Sequence, residues 1–573
     1  MALALALLLV PAAASAQTGG VRVVIDGVSG RPRSNILSAL SIAAAASEGS
    51  LSAERVRQLH ERAPAEIGLA LEPFGFYRPR IESDLAFERP RWIARYRIEP
   101  GPPLPVTRID LQVRGDGSDD PQIREAAARF PLAEGQPLRH DQYEAGKLAL
   151  AGRAADRGYL DATFARSEIR IDRAAYTAEI VLHLETGPRF NFGPVVFNQE
   201  ILEPAVLVGY VTFQQGEPLD LSKLIELQAQ LSAEPYFSRV EVEPRRDLAE
   251  ALEVPIHVDM EPRKPQRYEV GVGYGTDTGP RASFHTEHRR INRRGHRASG
   301  EVRVSTIEQR VAARYLIPSR YPSTRVVSLF AGYAHLAPTA SASDKIVVGA
   351  SLGRTRGVWQ ETYSLTFEEE WFTVGVDEGR FGALMPTVAW STTQADDRLN
   401  ARRGHRVRFE IRGGHDAVLS DASFLQLKAH GKVILPLGRR ARIIGRSDLG
   451  GIITDDFRRL PPTIRFFAGG DQNVRGFEYK SLGPRDEEGN VIGGEVVMVF
   501  SGELDYRFLG RWSVAAFYDT GNALHEFALS LEQSVGIGVR WTSPIGPVRV
   551  DGAFAVSRSS LPFRLHLAIG PDF

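Results

Sequence analysis

From Arg267 to the end of the chain, apolar and polar residues alternate with a period of two, and this constrains the fold more than anything else in the sequence. Tyr268, Val270, Val272 and Tyr274 alternate with Glu269, Gly271, Gly273 and Gly275. The pattern returns in Val302-Arg303-Val304, from Ile346 to Leu352, from Arg406 to Ile411, from Val535 to Trp541 and from Leu565 to Ile569. About sixteen such segments fill residues 266–573, parted by turns such as Asn292-Arg293-Arg294-Gly295 and Pro318-Ser319-Arg320-Tyr321-Pro322. A strand sends successive side chains to opposite faces, so each segment has one apolar and one polar face. An even number of such strands, about ten residues each, is the pattern of a transmembrane β-barrel. Closure is required, because lipid cannot satisfy a free strand edge. Tyr333, Trp359, Trp371, Trp390, Trp512 and Trp541 fall near strand ends and are expected to form aromatic girdles at the two membrane interfaces.

Composition narrows the alternatives. Lys plus Arg and Asp plus Glu both number 70, so no basic excess points to nucleic acid. Mean hydropathy is −0.20, and beyond the N-terminus no apolar run reaches the ~18 residues of a spanning helix. With no cysteine, disulfides, thiolate metal sites and cysteine nucleophiles are excluded together. The Leu- and Ala-rich stretch Met1 to Val10, followed by Ala14-Ser15-Ala16, is expected to be a signal peptide over residues 1–16. The mature chain is then exported.

Residues 21–262 carry a repeat of roughly 80 residues. Its landmark is a helix ending at a turn with an aromatic pair: Gly75-Phe76-Tyr77, Gly158-Tyr159-Leu160 and Pro235-Tyr236-Phe237. A second landmark precedes the helix in the last two copies, Gly135-Gln136-Pro137-Leu138 and Gly216-Glu217-Pro218-Leu219. Leu224, Leu227 and Leu231 lie at helical spacing in copy three, and Arg239 to Glu243 and Val254 to Val258 alternate as strands. Each unit reads β-α-α-β-β, an α+β module with helices on one sheet face. Exposed sheet edges in such modules suit pairing with an added strand.

Sequence patterns that carry chemistry fail on context. His60 and His140 stand alone and are expected at the surface. Gly349-Ala350-Ser351-Leu352-Gly353 spells a hydrolase elbow but sits inside an alternating strand, where the required strand-turn-helix cannot form. His285 and His288 point to opposite sides of a strand. Glu368-Glu369-Glu370 reads as a rim or lumen cluster, and Gly271 to Gly275 lacks the helix a dinucleotide loop needs. No enzymatic activity, metal or cofactor is expected.

One connection breaks the rhythm. Residues 454–492 join two strands and contain Gly469-Gly470-Asp471-Gln472-Asn473-Val474-Arg475-Gly476-Phe477, far more than a hairpin requires. Val474, Arg475, Gly476 and Phe477 resemble the loop-six signature of the outer-membrane assembly and two-partner secretion superfamily. Phe517-Tyr518-Asp519-Thr520-Gly521 is similar to that family's F-x-D-x-G strand, with Phe517 and Gly521 at its ends. Ser543 to Arg549 and the ending Gly570-Pro571-Asp572-Phe573 add to the likeness. Leu565, Leu567, Ile569 and Phe573 share one face, like the C-terminal signal of outer-membrane proteins.

The resemblance implies three POTRA domains, at 21–100, 104–187 and 188–263, then a sixteen-stranded barrel over 266–573. Three repeats resemble the TamA type, where five would suggest the BamA type and two a secretion transporter. Val21 opens almost directly into a strand, so no plug helix is expected. The implied role is insertion or export of unfolded outer-membrane protein clients through outer-membrane lipid, with a TamB-like, inner-membrane-anchored periplasmic partner met by POTRA 1. The alternative is a pore exporting one dedicated secreted protein. Implied contacts are Arg475 with Asp519, and Glu503 as a second carboxylate. The last strand must meet Arg267–Gly275, including Tyr268 and Val270, to close the barrel. Gly570 and Pro571 near its end should pair poorly, since Pro571 has no N–H to donate.

Overall fold

The computed structural model describes residues 18–49, 51–319, 324–339, 341–398, 400–543 and 546–569. The expected signal peptide, and Gly570, Pro571 and Phe573, lie outside the described residues. Two units are present: Met1–Val196 with Phe213–Glu226 and Val242–His257, and Phe197–Thr212 with Leu227–Glu241 and Val258–Phe573.

In the first unit, repeat one comprises strand Val21–Asp26, helices Gly30–Ala39, Ser41–Glu48 and Ala53–Leu71, and strands Arg80–Glu88 and Arg91–Glu99. The expected two helices are three, because Leu40 is extended (ψ 114°) and splits the first helical stretch. Repeat two matches the expectation, with helices Pro121–Ala128 and His140–Asp156 between strand Val106–Arg114 and strands Thr163–Asp172 and Thr177–Glu185. Asp120 caps the first of these helices, accepting from the Gln122 and Ile123 N–H groups, with Pro121 at the first helical position. In both repeats the first strand pairs in parallel with the last, and the middle strand flanks the last on its other side. A parallel pair needs a long crossover, and the helices supply it while covering one face. Ile36, Ile42, Val56, Leu59 and Ile67 bury against Tyr96 and Ile98. Leu224, Leu227 and Leu231 are buried as their spacing predicts.

His60 and His140 are not surface residues. Each is half-buried and bonded to a tyrosine hydroxyl, His60 to Tyr96 at 2.9 Å and His140 to Tyr77 at 2.8 Å. The lone-histidine pattern in sequence cannot reveal a partner 36 or 63 residues away.

The two repeat landmarks form a single joint. Gly75 of copy one lies against Leu138 of copy two, and Gly158 of copy two against Leu219. Both glycines have positive φ (87° and 88°), and a Cβ would sit 2.4 Å and 2.7 Å from the facing carbonyl oxygens. Their own carbonyls accept from Leu104 and Phe190 N–H groups at 2.8 and 2.9 Å. Gly158→Val is therefore expected to open the junction, since a disfavoured φ alone costs about 1–3 kcal/mol. Limited proteolysis should show faster cutting there. Gly152→Val, where a Cβ meets nothing within 4 Å, should leave the pattern unchanged.

In the second unit, sixteen antiparallel strands follow one another in sequence order, from Gln266–Gly275 to Phe563–Ile569. The first four have 9–11 residues, about the minimum for crossing a bilayer. Ser341–Arg356, Trp359–Val374 and Asp377–Ala395 have 16–19 and must project beyond the hydrocarbon. Trp512 and Trp541 are cross-strand neighbours 6.3 Å apart, and Tyr333 and Trp371 are exposed on the outer face. Trp390 departs from the expectation, lying five residues inside its strand. Ser351 bonds Ser328, within strand context as argued. Alternation turns Glu368 and Glu370 to one face and Glu369 to the other. The third landmark also docks: the Tyr236 hydroxyl donates to the Gly295 carbonyl in the turn after the second barrel strand.

Candidate functional site: loop six and the barrel seam

Period-two alternation determines which side chains meet inside the barrel. It turns Ser501 and Glu503 of Val496–Leu509, Phe517 and Asp519 of Trp512–Leu524, Arg540 of Glu532–Ser543 and Asp551 of Gly546–Ala555 inward, where all are buried. The long connection runs from 455 to 495, slightly beyond the expected 454–492, because the strands end at Thr454 and resume at Val496. It leaves the eleventh strand at the end of the barrel away from Gln266 and folds back among the inward side chains.

Arg475 is 2% exposed. Its Nε and Nη2 donate to the two oxygens of Asp519 at 2.7 and 2.9 Å, and its backbone N–H reaches Asp519 at 3.1 Å. This is the implied Arg–carboxylate fork. Two more carboxylates complete the cage: Nη1 donates to Glu503 at 2.7 Å and to Asp551 at 3.2 Å. Arg540 bridges Glu503, at 3.1 Å, and Asp551 from the other side. Arg446 adds a third guanidinium 4.0 Å from Asp519. Three positive groups thus face three negative ones, a balance that permits burial of the three carboxylates with Arg475 and Arg540, while Arg446 stays partly exposed. The Phe517 ring lies 3.4 Å beneath the Arg475 guanidinium, and so supplies a cation–π contact.

The rest of the motif seats the loop. Val474 and Phe477 bury in an apolar cluster with Ile464, Phe466, Leu482, Phe381 and Phe424, joining the loop to the long strands. Gly476 has φ 92°, and a Cβ would crowd Ser534 and Ala555. Gly536 leaves room for Phe517, whose ring a Cβ would meet at 2.2 Å. Gly521, at the end of the strand motif, packs where a Cβ would meet the Met498 carbonyl at 2.7 Å. Arg465, unforeseen in the sequence, organises the loop by donating to the carbonyls of Arg458, Leu460 and Ile492 at 2.7–3.0 Å.

The first and last strands stand at the two ends of the sheet order. Among the described residues they are joined beside the turn that follows the first strand: the Thr276 N–H donates to the Leu567 carbonyl at 3.2 Å, the Leu567 N–H to Thr276 Oγ1 at 2.7 Å, and Arg281 of the second strand reaches the Ile569 carbonyl at 3.0 Å. Among the described residues, Gln266–Gly275 has no strand partner on that side. Tyr268 and Val270 are 59% and 78% exposed. Beside this contact, Asp277, Asp471 and His566 bring three donor atoms within 4.8 Å of one another. Both imidazole nitrogens are already engaged, Nε2 accepting from the Gly476 N–H at 2.9 Å and Nδ1 facing Asp471 at 2.5 Å, so the cluster shares protons rather than presenting a free ligand set.

Residues 291–573 match the model of the Omp85 superfamily domain, and residues 22–100 that of the POTRA domain, TamA domain 1. The chain belongs to the Omp85 superfamily. Over 119 residues it is 30% identical to the outer membrane protein assembly factor BamA of Nitratidesulfovibrio vulgaris, a stretch covering 19% of this chain and 15% of that protein's length. The Omp85 barrel also resembles the crystal structure of BamA from Haemophilus ducreyi lacking POTRA domains 1–3. The TM-score is 0.71 at 16% identity, covering 82% of this chain and 99% of that one. At that identity the likeness is one of fold.

Proposed function

We propose that this Omp85 protein assembles β-barrel clients into the bacterial outer membrane or exports them across it, its POTRA domains in the periplasm, without enzymatic chemistry of its own. The observation that carries this reading is the edge of the first barrel strand. Among the described residues no ladder joins it to the last strand, whose described part ends at Ile569, while Tyr268, Val270, Val272 and Tyr274 present a lipid-compatible face. An unsatisfied backbone group costs several kcal/mol in hydrocarbon, so an extended apolar client segment gains by pairing with this edge. Loop six, fixed by Arg475 to the strands that carry Glu503, Asp519 and Asp551, braces the wall leading up to the last strand.

The likeness of residues 22–100 to the first POTRA domain of TamA supports a TamB-like, periplasm-spanning partner. Arg55, Arg57 and Arg62 are exposed on the longest helix of that domain and are candidate contacts. Deleting residues 21–100 should leave barrel insertion intact and abolish co-purification of that partner from envelope membranes. Undiminished co-purification would overturn the assignment of the partner to this domain.

A further inference from the structure

Three elements converge where the seam closes. Asp277 lies in the turn after the first strand, His566 in the last strand, and Asp471 at the tip of loop six. The two aspartates are interlocked: the Asp471 backbone N–H donates to the Asp277 carboxylate at 2.5 Å, and the Asp277 N–H to the Asp471 carboxylate at 3.2 Å. His566 ties the same carboxylate to the last strand. Because Nε2 accepts from Gly476, the ring carries its proton on Nδ1 and donates it to Asp471. One loop side chain therefore grips both sides of the seam, and the residue beside Arg475 binds the same histidine.

We propose that Asp471, Asp277 and His566 form a latch by which loop six holds the seam closed, and that a proton carried between the two aspartates tightens it. Separating the first and last strands moves Asp277 away from His566, and Asp471 cannot follow both. Loop-six position and seam opening are thereby one equilibrium. Two carboxylates facing each other repel when both are ionised. Burial, and after it the Asp471 carboxylate, push the Asp277 carboxyl up to about 6, while the Asp471 N–H and His566 pull the other way. The remaining titratable group facing Asp277 is Tyr479 of loop six, itself beside Glu308. A carboxyl raised in the latched state favours that state when protonated. That contribution is full below the ordinary value near 4 and is lost as pH rises from about 4 to 6. Mild acid should close the latch.

The latch is tested without any client, so its failure and failure of the assembly reading are distinguishable. The chain has no cysteine, so spin labels on Ala282→Cys and Val550→Cys, outward positions one strand to either side of the seam, are unambiguous. In vesicles, the distance distribution between them should narrow from about pH 7.5 to about pH 5. Asp277→Asn, which keeps the acceptor and removes the charge, should be narrow at both. Asp471→Ala should broaden the distribution at both pH values and speed protease cutting of loop six, with unheated gel mobility checking that the barrel has folded. An Asp471→Ala distribution superimposable on wild type would overturn the latch. A wild-type distribution indifferent to pH, or an Asp277→Asn distribution that still responds, would overturn its control by a proton.

Discussion

Arg475→Ala is expected to release loop six from the lumen, and its effect should exceed that of any other single change in the loop. The substitution leaves Asp519, Glu503 and Asp551 buried against two guanidiniums instead of three and removes the ring contact with Phe517. Breaking a buried ion pair by removing one partner costs roughly 3–5 kcal/mol. If protease cutting within 455–495 follows the open population, that is on the order of a hundredfold faster or more. Asp519→Ala should do less, because Arg475 keeps Glu503 and Asp551. Arg475→Lys should restore little, since an ammonium cannot reproduce the fork to Asp519 while reaching Glu503. The double variant with Asp519→Ala should fall well short of the sum of the singles, as members of one network do. An unchanged cleavage pattern in Arg475→Ala would contradict the cage.

The cage also marks where sequence reading succeeds and where it stops. Sixteen strands are legible because alternation is a local property, enforced by lipid on one side. The Arg475–Asp519 fork, with Glu503 as a second carboxylate, is legible through resemblance. Asp551 and Arg540 are missed, although both lie at inward positions of alternating segments; following that face across neighbouring strands would have found them. Arg465 gives no such signal, because its partners are backbone carbonyls of its own loop. The same limit explains His60 and His140, whose tyrosine partners are set by tertiary packing. Repeat one gains its third helix from one extended residue, Leu40, which no propensity marks. The seam was expected to be weak because of Gly570 and Pro571, which lie outside the described residues. Among the described residues, the first strand is joined to the last near Thr276 and Leu567, with no ladder between the two.

That joint allows the most direct test of client entry at the seam. Thr276→Cys with Leu567→Cys places two thiols on residues whose backbone and side chain are already bonded at 2.7 Å, close enough for a disulfide after side-chain adjustment. With no other cysteine in the chain, oxidation yields one cross-link, and reduction returns the same molecule to its starting state. In vesicles of outer-membrane lipid composition, folding of a β-barrel client is followed by its heat-sensitive gel mobility. Client insertion should be abolished in the oxidised protein and restored by reductant; insertion at the reduced rate by a fully oxidised protein would contradict entry through this seam.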